Sequence, residues 1–144
     1  MTLPVNPARL PVPPVEQIRT LLASHLIGID RWVERNLGPG IDASDVPFSS
    51  VFTVSEAEVV DYALAHGWDP RIVKPLEQAQ PRSAGDWDVM FFAGASAQGD
   101  WQTWRPLDPE RNSEPFEKLS FTSERAMAEA IVARLFATQR RFWG

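Results

Sequence analysis

Apolar residues recur at spacings of three and four through Val15, Ile18, Leu22, Leu26, Ile29, Val33 and Leu37, with Leu21 and Trp32 widening the stripe. Glu16, Gln17, Arg19, Arg31, Glu34 and Arg35 take the opposite side. This period predicts one long amphipathic helix over 15–37. Pro14 suits its first turn, and Gly38 followed by Pro39 suits its end. Gly28 inside it costs about 1 kcal/mol relative to Ala. The preceding stretch, residues 1–14, holds five of the thirteen prolines. They forbid a helix and deny donors to a ladder, so this stretch reads as an extended arm.

A loop over 38–47 carries Pro39-Gly40, Asp42 and Asp45. Phe48 to Val54 reads as a short extended segment, although its alternation is imperfect. Ser55 followed by Glu58 has the form of a capping box, which places a helix start there. Val59, Val60, Tyr62, Ala63 and Leu64 supply its buried side, and Gly67 ends it. Asp69-Pro70 then reads as the cap and first residue of another short helix, reaching about Ala79 and interrupted at Pro75.

The stretch Asp86 to Trp104 holds three of the six tryptophans and two adjacent phenylalanines. It reads as a β-hairpin at the centre of the fold. Val89 to Ala93 is apolar on both parities, as in a strand covered on both faces. Gly94 to Asp100 is a turn of small residues. Trp101 to Arg105 is the return strand, with Trp101, Thr103 and Arg105 on one face and Gln102 and Trp104 on the other. A charged loop over 106–115 leads to a third strand, Phe116 to Phe121. Thr122 or Ser123 caps a last helix whose apolar stripe runs through Met127, Ala130, Ile131, Leu135 and Thr138, with Phe136 beside it. The predicted fold is therefore α+β. A small antiparallel sheet, the hairpin plus one or two further strands, is flanked by the long N-terminal helix, a middle helical hairpin and the C-terminal helix. Residues 15–144 are expected to form a single domain behind the arm 1–14.

Composition adds boundaries. A chain of 144 residues, 44% apolar and 23% charged, suits a soluble globular domain that buries a real core. Cysteine is absent, which removes disulfides, thiol chemistry and Cys-ligated metal and fits a reducing cytoplasm. The opening residues have no basic and apolar signal pattern, and no apolar run approaches the ~18 residues that span a bilayer. A formal charge of −5 argues against nucleic-acid binding through a broad basic surface.

Candidate chemistry is sparse. Asp86, Asp88 and Asp100 beside Trp87 and Trp101 could form a sugar subsite, but the same residues are expected at turns and in a core. His25 and His66 stand on separate helices without a second ligand at metal spacing. There is no nucleophile elbow and no glycine-rich phosphate loop. Helix-turn-helix over 55–79 is opposed by Pro75 and by the acidic balance. Neither a catalytic site, a cofactor nor a metal is predicted.

The order Trp101-Gln-Thr-Trp104-Arg105, a charged loop, then Leu119-Ser-Phe121-Thr-Ser-Glu-Arg-Ala-Met127 and a closing amphipathic helix resembles small bacterial immunity proteins of polymorphic toxin systems. The resemblance covers roughly residues 86–137 and implies a non-enzymatic, cytoplasmic inhibitor that blocks the active site of a cognate toxin. The partner expected is a basic toxin domain, with no nucleic acid or membrane involved. Anchors of such interfaces are aromatic residues and arginine with a charged rim, which selects Trp101, Trp104, Arg105, Asp108, Glu110, Arg111 and Glu114. Two other classes remain open on the sequence. One is a structural or assembly component of a phage or secretion system, docked by the arm and the aromatic tail. The other is a glycan or small-molecule binder using the Trp-rich hairpin.

Overall fold

The structure, a computed structural model, describes residues 12–23, 34–36, 38–42, 45–70, 72–78, 90–108 and 116–142. The elements in chain order are α1 (Pro14–Ala23), α2 (Phe48–Val51), α3 (Glu56–His66), β1 (Val73–Pro75), a 3-10 turn (Leu76–Gln78), β2 (Phe91–Ala95), β3 (Trp101–Pro106), β4 (Phe116–Phe121) and α4 (Glu124–Phe142). The chain is α+β, as its pattern predicts. It divides into two compact units, residues 1–55 with 135–144, and residues 56–134. Helix α4 begins in the second and ends in the first. Among the described residues no helix is long and apolar enough to cross a membrane.

In the first unit, α1 starts at Pro14 as predicted, and residues 34–36 are helical; the whole stretch 24–33 between them, and the arm up to residue 11, lie outside the described residues. The helix does not bury the predicted stripe alone. Val15 is 50% exposed, whereas Gln17, assigned above to the polar side, is completely buried. The reason is a set of backbone groups that only an amide can satisfy together. Gln17 Nε2 donates to the Val12 carbonyl (2.7 Å) and to Thr53 Oγ1 (3.1 Å). Its Oε1 accepts from the N–H of Thr53 (2.7 Å) and of Val54 (3.2 Å). Ile18, Leu21 and Leu22 pack beside it in the core.

The extended segment expected over 48–54 is also corrected. Phe48–Val51 is one helical turn, and only after Phe52, with φ −104° and ψ 101°, does the chain extend. Phe52 N–H donates to the Phe48 carbonyl at 2.9 Å. A helical spacing of four brings the two rings together, with centroids 5.0 Å apart. Phe48 also meets Phe136 edge-on at 5.8 Å, and the Arg140 guanidinium lies 5.3 Å from the Phe48 centroid. Aromatic packing with a cation over the ring thus overrides the weak alternation.

In the second unit, α3 lies where the capping pattern puts it. It buries Val59, Val60 and Ala63, and it ends at Gly67, whose φ of +86° and N–H bond to the Ala63 carbonyl (2.7 Å) form a left-handed cap. Among the described residues no second α-helix follows: the helix expected over 69–79 is replaced by β1 and a 3-10 turn, so the middle helical hairpin is not formed there. One turn opens at Asp69, whose carbonyl accepts the N–H groups of Ile72 (3.0 Å) and Val73 (2.9 Å). The chain then extends as β1. Lys74 precedes Pro75 and is steered away from helical angles, while Pro75 has no N–H with which to continue a helix.

The sheet has the order β1-β2-β3-β4. It is mixed rather than antiparallel, because β1 runs parallel to β2 with Val73 beside Phe91 and Pro75 beside Ala93. β2 pairs antiparallel with β3, and β3 with β4. The first hairpin strand falls two residues later than predicted, and Asp86 to Val89 lie outside the described residues. Its central character holds: Phe91 and Phe92 point to opposite faces and are 0% and 2% exposed. At Gly94 a Cβ would come within 3.3 Å of Leu76 Cβ, so glycine admits the 3-10 turn against the sheet. Ser123 caps α4, its Oγ accepting the Ala126 N–H at 3.1 Å. Met127, Ala128, Ile131 and Val132 are the buried residues of that helix before Leu135.

Candidate functional site

Strand β3 carries the predicted anchors and is hydrogen-bonded on both sides, which fixes its side chains to alternate faces. Trp101, Thr103 and Arg105 share one face with Phe121, Leu119 and Glu117 of β4. Gln102, Trp104 and Pro106 share the other with Ser120, Lys118 and Phe116. The structure therefore places Trp101 and Arg105 on one face, with Thr103 between them, and Trp104 on the opposite side. Both indoles are half-buried. Trp104 stands next to Phe92, its partner on β2, and opposite Lys118. Phe92 in turn lies 6.2 Å from Phe116, centroid to centroid.

Arg105 is held in place. Its Nε donates to Glu117 Oε1 at 2.7 Å, and its side chain is 20% exposed. Arg134, from α4, lies 3.8 Å from the same carboxylate oxygen and donates through Nη2 to the Pro106 carbonyl at 2.7 Å. Two guanidinium groups thus converge on one carboxylate and orient it. Glu117 and Arg134 were missed from the sequence. The cross-strand register that places Glu117 beside Arg105 spans a loop of unpredictable length, and Arg134 comes from another element. Thr103 Oγ1, on the same face and fully buried, has no hydrogen-bond partner among the described residues.

Past the end of β3, Leu107 is 56% exposed, and Asp108 beside it is also exposed. Glu110, Arg111 and Glu114 lie outside the described residues. At the other end of the strand, Asp100 closes the hairpin turn. It accepts the Ser96 hydroxyl and, at 3.3 Å, the Gln102 amide. The Ser96 bond, then the Gln102 bond, holds its carboxyl below the usual range for aspartate. A carboxylate so engaged serves the turn, which weakens the sugar-subsite reading of Asp100; its companions Asp86, Trp87 and Asp88 lie outside the described residues.

His66 is exposed at the end of α3 and lies against Tyr62, ring centroids 4.4 Å apart. His25 is outside the described residues. Among the described residues no group of three or more His, Asp or Glu is placed to hold a metal ion. A cavity of about 130 Å³ is lined by Glu56, Ala57 and Val60 of α3 and by Arg125 and Glu129 of α4. Arg125 there pairs with Asp61 at 2.8 Å, both well exposed. Compared with known proteins, the chain matches no family model, no curated protein and no solved structure.

Proposed function

We propose that this chain works by binding another protein, as an immunity-type inhibitor of a bacterial toxin. Its contact surface is centred on Trp104 and continues through Leu107 and Asp108 past the end of β3. The observation that carries the reading is the mounting of the indole. Trp104 is half-buried on a strand bonded to neighbours on both sides, so little backbone conformational entropy remains to be lost when a partner covers it. Leu107, three residues further along, presents an exposed apolar side chain just past the end of the strand. Arg105, fixed by Glu117, lies with Trp101 on the other face of the sheet and stands outside this surface. The net charge of −5 favours a basic partner domain and steers its approach. The site of action under this reading is the cytoplasm of the producing cell.

The test is calorimetric titration against the basic domain encoded by a neighbouring toxin-bearing gene. The expected result is 1:1 binding that Trp104→Ala weakens at least ~10-fold, equivalent to about 1.4 kcal/mol, with an unchanged far-ultraviolet circular dichroism spectrum. A neighbouring product that is neither toxic nor bound removes the immunity reading. Unchanged affinity in a folded Trp104→Ala variant removes the surface.

A further inference from the structure

We draw no further inference here: the strongest candidate outside the site already described, the cavity between the first turn of α3 and α4 rimmed by Glu56, Arg125 and Glu129, rests on exposed charged side chains with no second observation that points to a ligand.

Discussion

Replacing Gln17 with leucine tests the least expected feature of the first unit. The side chain is nearly isosteric, so no large cavity opens, but all the amide bonds are lost. Thr53 is exposed, and its N–H and hydroxyl return to water. The Val12 carbonyl and the Val54 N–H belong to residues only 2% and 6% exposed, and they lose their partner where water does not reach easily. Each such orphan costs about 1–3 kcal/mol, so the pair costs roughly 2–6 kcal/mol. The greater apolar burial of leucine offsets about 1–2 kcal/mol of this. The expected net loss is about 0–5 kcal/mol, centred on ~2.5 kcal/mol, read as a lower urea midpoint at unchanged slope. Amide hydrogen exchange provides a local readout: Val54 N–H should lose more protection in the variant than the amides of β2 and β3 do. A Gln17→Leu protein within about 0.5 kcal/mol of the parent, the scatter expected of a neutral surface change, whose Val54 N–H also keeps its protection, would show that the amide does not hold residues 53–54 to α1.

Three other perturbations follow from the second unit. Phe91→Ala removes a fully buried ring from the central strand and should destabilise by about 3–5 kcal/mol in chemical denaturation; a negligible loss would take β2 out of the core. Thr103→Val replaces a buried hydroxyl that lacks a hydrogen-bond partner among the described residues and should stabilise by about 1 kcal/mol, seen as a higher melting temperature; a lower one would mean the hydroxyl has a partner after all. Asp100 has a depressed pKa in the folded chain, so its contribution is present above the ordinary aspartate value and is lost as pH falls through the depressed one. Asp100→Asn should therefore flatten the acid limb of the stability profile, and an Asp100 titration by NMR at or above the usual aspartate range would refute the turn geometry.

The elements most legible in the sequence are those whose signals are local. Ser55 and Gly67 bracket α3 because a cap and a left-handed terminus are properties of a few adjacent residues. Ser123 starts α4 for the same reason. Strand β4 has the predicted bounds, and the adjacent Phe91 and Phe92 announce a strand covered on both faces. Where the reading failed, a distant partner decided the outcome. Val73-Lys74-Pro75 has too little pattern to declare a strand, and it becomes one by pairing with Phe91–Ala93, eighteen residues along the chain. Phe48 follows the helical turn that lets it meet Phe52 and Phe136 together. Gln17 is buried because the open N–H groups of 53–54 come to it.

The same division applies to the candidate site. Alternation along β3 is dictated by strand geometry, so the separation of Trp104 from Trp101 and Arg105 follows from the sequence alone. That Arg105 is fixed against Glu117, with Arg134 brought to the same oxygen from a helix, follows only from strand register and helix docking. The sequence by itself determined the α+β class, both ends of α3, the start of α4, and which described aromatic residues occupy a central hairpin, because caps, turns and periodicity act over a few residues. The tertiary structure alone decided the parallel edge strand, the buried glutamine and the clamped arginine. Each of these depends on groups far apart in sequence meeting where an unsatisfied polar group or an unpaired charge carries a free-energy cost.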